Sequence, residues 1–229
     1  AITQYLFYNK SKPVSREVLT EMFWPEADKK SGSASMRSAL YSIRKLLAES
    51  GITSVTEPLI HENNGFLVIT RPDIITTDVE QFLSLDREIR SIPAETKNDA
   101  MIIASLEKML QLYNEDFLTD GIYDDWAYYE REKLKSVYLS AVFLLVSRYE
   151  MKGEPQKAEA ALLKALSLDP YNEELGYSLL KIYIGTNRYN QAVKFYSDFK
   201  KMLLQDLDIE PDARFESLFC ESAETVSAG

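Results

Sequence analysis

Apolar residues recur at helical spacing through most of this chain, and at strand spacing in one short window. Ile2, Tyr5, Leu6 and Phe7 give a brief apolar face that stops at Lys12-Pro13. Val18, Leu19, Met22 and Phe23 return at the interval of a second helix. Ser15 is its expected N-cap, because a hydroxyl there can accept from a free backbone N–H, and Pro25 ends it near Trp24. The stretch Asp28-Lys29-Lys30-Ser31-Gly32-Ser33 is expected as a polar loop. A third helix is expected from about Ser33 to Glu49, before Gly51. Its apolar stripe, Met36, Leu40, Ile43 and Leu47, falls within a narrow arc. Ser38, Tyr41 and Lys45 point away from that arc, and Arg37 and Arg44 share one flank. The outward side holds no acidic residue before Glu49, so the pattern exposes cations and hydroxyls on a helix held by its opposite side.

Two β runs follow, Leu59–Glu62 and Phe66–Thr70, joined by Asn63-Asn64-Gly65. Asn-Gly tolerates the positive φ angles of a type I′ turn, which makes a hairpin the expected structure. From about Thr77 onward only helices are expected. Asp78 is the expected cap of one bearing Val79, Phe82 and Leu85; others cover about Asp99 to Tyr113 and Asp125 to Met151. Shifting the chain by 34 residues aligns Leu145 with Leu179, Tyr149 with Tyr183, Gly153 with Asn187, Ala158 with Ala192 and Leu162 with Tyr196. That period is the one of tetratricopeptide helix pairs, each of which must stack on neighbours to bury its apolar face.

Charge separates the two parts. The chain of 229 residues carries a net charge of −10, but residues 1–75 carry +1 and residues 76–229 carry −11. The acidic part should repel phosphate, and only the first part is suited to approach DNA. The expected partition is therefore 1–75 and 76–229. No window approaches 18 consecutive apolar residues, so no membrane span or membrane partner is expected. The first residues lack the pattern of a signal peptide, and the single cysteine, Cys220, fits a reducing, cytoplasmic setting.

Three helices followed by a hairpin is the element order of a winged helix-turn-helix, whose third helix fits the major groove while the hairpin reaches an adjacent groove or backbone. The fold expectation is mostly α: this winged unit followed by an all-α, tetratricopeptide-like domain. Lys29, Lys30, Arg37 and Lys45 are expected at phosphates, and Arg44, Tyr41 and Ser38 at base edges. Ser35 and Ser42 on the third helix, with His61, Asn63 and Asn64 on the hairpin, complete the candidate DNA-binding set.

Several segments resemble a known family. Ser15-Arg16-Glu17-Val18-Leu19 with Phe23-Trp24-Pro25 resembles the second helix of the bacterial activators that include the antibiotic regulatory proteins. The run from Met36 to Leu47 is similar to their recognition helix, Gly65-Phe66-Leu67 to their wing strand, and Asp78-Val79-Glu80-Gln81-Phe82 to the opening of their second domain. Asp116-Phe117-Leu118, Asp125-Trp126, Glu130-Arg131-Glu132-Lys133-Leu134 and Leu207-Asp208-Ile209-Glu210-Pro211-Asp212 resemble their bacterial transcriptional activator domain. The resemblance implies an OmpR-like winged helix joined to a tetratricopeptide-like domain, acting as a transcription regulator, with Arg37, Arg44 and Lys45 at basic positions of the recognition helix. Tyr41-Ser42 stands where the family often has a further Arg, and Leu67 where the wing often has one; both thin the positive face. The family also has strands before its first helix, and the chain is expected to be a fragment lacking them.

Other residues have plainer expectations. A lone His61 makes no metal site, and Cys220 has no neighbour arranged to form a thiolate. Asp116, Asp120, Asp124 and Asp125 surround Gly121 without the alternating spacing of a calcium loop, so capping and solvation are expected. The tyrosines and phenylalanines from Tyr128 to Phe199 should mostly pack the helical stack. No phosphate-binding loop, dinucleotide fingerprint, nucleophile elbow or zinc-protease motif occurs, so neither catalysis nor a cofactor is expected. The expected partners are double-stranded DNA, RNA polymerase and a second copy of the chain. Two other functions remain open: a tetratricopeptide interaction module whose first helices only cap the stack, and a small-molecule sensor with a closed pocket among its helices. An exposed third-helix face carrying Tyr41 and Lys45 would favour DNA.

Overall fold

The computed structural model describes residues 1–53, 58–92, 99–118 and 125–219, with backbone only at 125 and 126. These residues fall into two compact units, 1–81 and, in the second, 82–118 with 126–219.

The first unit runs α1 (Ile2–Tyr8), β1 (Val14–Ser15), α2 (Arg16–Phe23), α3 (Lys29–Glu49), β2 (Ile60–Asn63) and β3 (Phe66–Ile69). Its core gathers Leu6, Leu19, Met36, Leu40, Leu47, Leu59, Ile60 and Leu67, with Ile43 packed at its edge. The predicted stripe of α3 is thus the buried one. Ser15 caps α2 as expected, its hydroxyl accepting from the Val18 N–H at 3.4 Å. The hairpin turns at Asn64 and Gly65, both left-handed at φ 49° and 78°, which is the type I′ geometry the Asn-Gly pair favours.

Three local expectations are corrected. The segment expected as a loop, 28–33, supplies the start of α3, because the Asp28 carboxylate accepts from the Lys30 and Ser31 N–H groups at 2.8 and 3.0 Å and caps the helix four residues early. Gly32 sits buried in that first turn; a Cβ there would lie 2.8 Å from the Thr20 methyl, so the glycine lets α3 approach α2 closely. Strand β1 was not expected. It pairs Val14 with Leu67 and Ser15 with Phe66, making a three-stranded antiparallel sheet of order β1-β3-β2. Two residues carry no alternation to read, so only the partner strand reveals it. Finally, the helix after Thr77 is capped by Thr77 and not by Asp78. The Thr77 hydroxyl accepts from the Glu80 N–H while the Glu80 carboxylate accepts from the Thr77 N–H, both at 3.2 Å.

Along the rest of the chain come α4 (Asp78–Ser91), α5 (Asp99–Leu112), α6 (Asp125–Met151), α7 (Pro155–Leu168), α8 (Glu173–Gly185) and α9 (Tyr189–Leu207). The 34-residue repeat holds at four of the five matched pairs, Leu162 being fully buried while Tyr196 is only half-buried. Gly153 and Asn187 both turn left-handed, at φ 69° and 58°. Ala158 and Ala192 are both fully buried, as are the pairs Leu145–Leu179 and Tyr149–Tyr183 nearly so. Helix α7 packs on α8, and α8 on α9. Gly176 of α8 lets the Phe199 ring of α9 sit where a Cβ would be 3.0 Å away. Tyr113, just past α5, stacks on Tyr138 at 4.3 Å and donates its hydroxyl to Asp116 at 2.7 Å. Burial pushes both phenols up, Tyr138 to about 12.

Tyr138, Tyr149, Tyr183 and Phe199 pack the stack as expected, whereas Tyr128 and Tyr129 stay 55% and 74% exposed. Asp120, Gly121, Asp124 and Cys220 lie outside the described residues. Among the described residues no helix is long and apolar enough to cross a membrane.

Candidate nucleic-acid interface

Helix α3 divides cleanly into two faces. Met36 and Leu40 are buried to 0% and 2%, while Tyr41 on the opposite side is 69% exposed. Lys29, Lys30, Arg37, Ser38, Ser42 and Lys45 are also exposed, and Ser35 is half-buried. The helix contains no carboxylate between Lys29 and Ala48. Lys45 meets Glu49 at 3.7 Å between two exposed side chains, a pairing worth little in water. Among the described residues Arg37 bonds only to a backbone oxygen one turn back, the Ser33 carbonyl at 3.4 Å. Asp28 is the N-cap of the helix, where hydrogen bonds from Ser31 and from the Lys30 N–H hold its carboxyl below the usual range.

The hairpin completes the surface. His61, Asn63, Asn64 and Gly65 are exposed, and Phe66 is 47% exposed. Pairing fixes these positions: His61 lies opposite Val68 and Asn63 opposite Phe66.

Arg44 behaves differently from its neighbours. It is half-buried, and its Nε donates to the Ile60 carbonyl of β2 at 3.0 Å. Part of the guanidinium placed at base edges from the sequence is therefore engaged inside the unit. Arg16 enters the sequence pattern only within the second-helix resemblance and not as a site residue. Its Nη1 meets the Glu62 carboxylate at 2.8 Å, and its Nη2 reaches the Ser33 carbonyl and hydroxyl at 3.2 and 3.3 Å. Its backbone N–H donates to the Gly65 carbonyl at 2.9 Å. Its position just after the α2 N-cap was visible, but its partner 46 residues away was not. Arg16, Ser33, Glu62 and Phe66, with Trp24 and Asp28, line an open cleft of about 580 Å³ beside the hairpin turn.

Among the described residues no cluster of His, Cys, Asp and Glu could hold a metal ion. The arrangement offers a helix face of exposed cations and hydroxyls, flanked by a polar β-turn. Such a surface can neutralise phosphates and present donors and acceptors to base edges.

The family described as "Bacterial transcriptional activator domain" matches residues 77–221. Among solved structures, the chain is similar to Mycobacterium tuberculosis EmbR in complex with a low affinity phosphopeptide, with 21% sequence identity and a TM-score of 0.67. The match covers 94% of this chain and 56% of that one, so the chain spans little more than half the length of that structure. At this identity the likeness is one of fold. No curated protein matches the chain.

Proposed function

The chain belongs to the bacterial transcriptional activator domain family, and from that membership we propose that it is a transcription regulator whose first 75 residues bind duplex DNA. The observation that carries the reading is the exposed, carboxylate-free face of α3, with Tyr41 and Lys45 open to solvent, beside an exposed hairpin turn. Lys29, Lys30, Arg37 and Lys45 neutralise phosphates. Ser38, Tyr41 and Ser42 face the base edges, with Ser35 at the border of that surface. His61, Asn63 and Asn64 bring the wing to the neighbouring groove or backbone. The exposure of Tyr41 and Lys45 is what favours this reading over a helical cap on an interaction module. The acidic residues 76–229 make the protein contacts: dimerisation, signal reception or contact with RNA polymerase.

The test is selection from a random-sequence duplex pool with the chain, followed by salt-titrated binding to the selected duplex. Four phosphate contacts predict a slope of log affinity against log salt of about −3.6. Absence of any duplex enriched above background rejects the proposal. Sedimentation of the free chain and of the complex decides the dimer; a monomer in both rejects it.

A further inference from the structure

The first unit holds two arginines that do not behave as surface cations. Arg44 leaves the middle of α3 and donates to the Ile60 carbonyl, at the start of β2. Arg16 leaves the first turn of α2, bonds Glu62 further along β2, and also reaches the Ser33 carbonyl and hydroxyl in the second turn of α3. The same Arg16 holds the hairpin turn with its own backbone, its N–H donating to the Gly65 carbonyl. One strand of the wing is thus tied to the third helix at two places, by two long side chains from two different helices. The side chains of Arg16 and Glu62 are 21% and 33% exposed, so the pair is partly shielded from water. A planar guanidinium suits this role, since one fork can serve a carboxylate and a carbonyl at once.

We infer that Arg16 and Arg44 are positioning residues that fix the wing's distance and register against the recognition helix, and that neither neutralises a phosphate. The inference rests on the duplex-binding reading for its consequence, but the clamp itself is a property of the free protein. A reader that touches two grooves at once gains affinity only if the two contacts are held at the right separation beforehand. The clamp supplies that preorganisation. It also divides the arginines by role: Arg37, bonded only to its own helix, stays available to DNA, whereas Arg44, seven residues on, is committed to the wing.

The experiment compares Arg16→Gln, Arg44→Gln and Arg37→Ala in the full chain. Hydrogen exchange of the free protein is read first. The two glutamine variants should speed exchange of the Ile60–Asn63 and Phe66–Ile69 amides about tenfold, a loss of one charged hydrogen bond, and leave the Met36–Leu40 amides unchanged. Arg37→Ala should leave the hairpin amides as they are. Binding to the pool-selected duplex is read second. The glutamine variants should lose about tenfold in affinity with the salt slope unchanged, whereas Arg37→Ala should reduce the slope by about 0.9. Arg16→Glu combined with Glu62→Arg re-forms the ion pair but cannot donate to the Ser33 carbonyl, so it should restore hairpin protection and affinity in part relative to Arg16→Glu alone. If Arg16→Gln fails to fold, Arg16→Lys keeps the charge and loses the fork. Faster hairpin exchange in that variant supports the clamp, and wild-type exchange overturns it. Unchanged hairpin exchange in Arg16→Gln and Arg44→Gln, or a salt slope that falls by about one in either, also overturns it. If the chain binds no duplex, the DNA reading fails, and the exchange data and the charge-swap rescue still decide the clamp.

Discussion

The helical unit and the outer face of α3 use positive charge in opposite ways. In the helical unit several cations are bound to carboxylates: Arg148 to Asp99 at 2.6 Å, Lys135 to Asp169 at 3.1 Å, Arg188 to Glu159 at 2.7 Å and Arg214 to Glu174 at 2.6 Å. Arg188 and Arg214 also lie over the Tyr183 and Tyr177 rings, at 4.8 and 4.7 Å. These pairs staple one helix to another. On α3 of the winged unit, Lys29, Lys30 and Arg37 form no ion pair among the described residues, and Lys45 has only the loose contact with Glu49. The composition of a chain therefore says little about where its charge can act. A net of −10 coexists with one helix whose charged residues, from Lys29 to Ala48, are all cations. What matters is whether a cation finds a carboxylate within the fold.

The sharpest way to break this contrast is in the packing. Leu179→Ala, at a fully buried position of the repeat, should cost about 3 kcal/mol in urea unfolding of the helical unit. In the still-folded chain, duplex affinity should hold within about twofold, since the winged unit has its own core. A matching loss of DNA affinity in native buffer would show the two units to be one energetic body. The next effect is on the free cations. Arg37→Ala with Lys45→Ala should lower duplex affinity at least about tenfold near 0.1 M salt and reduce the salt slope by about 1.8, with the melting temperature unchanged. In contrast, Lys135→Ala should leave the slope unchanged and lower the melting temperature.

A smaller effect is expected at the wing turn. Gly65→Ala forces a Cβ into a left-handed residue and should cost about 1 kcal/mol, read by chemical denaturation. The smallest concerns pH. Burial alone would raise the Glu80 carboxyl above its ordinary 4.5, but hydrogen bonds from Lys10 and from the Thr77 backbone outweigh it and hold it lower. A carboxyl whose folded value lies below its unfolded one stabilises the fold above the unfolded value, and that stability is lost as pH falls through the folded one. The melting temperature of the wild type should therefore fall more steeply than that of Glu80→Gln as pH drops below about 4.5. Parallel curves would remove the capping box from the account.

Much of the fold was legible because it depends on near neighbours. The stripe Met36, Leu40, Ile43 and Leu47 named the buried face of α3, and Asn64-Gly65 named the hairpin turn. The 34-residue shift found both left-handed turns, Gly153 and Asn187. The start of α3 was misplaced because Lys29-Lys30-Ser31-Gly32 has the composition of a loop, and the contact that makes Gly32 suitable, with Thr20, is made between helices. On α3, the outward placement of Arg37, Ser38, Tyr41, Ser42 and Lys45 was in view. The distinction between Arg37 and Arg44 was not, because both are basic residues on one flank of one helix.

The sequence by itself determined which face of each helix turns inward, since periodicity and apolar content act within a few turns of the chain. It also determined where the backbone reverses, since positive φ depends on the residue at that position. The tertiary structure alone decided which charges are spent. Arg16 finds Glu62 and Arg44 finds Ile60 only once strand pairing has brought β2 beside α3. A side-chain hydrogen bond acts over about 3 Å of space, whatever the separation along the chain.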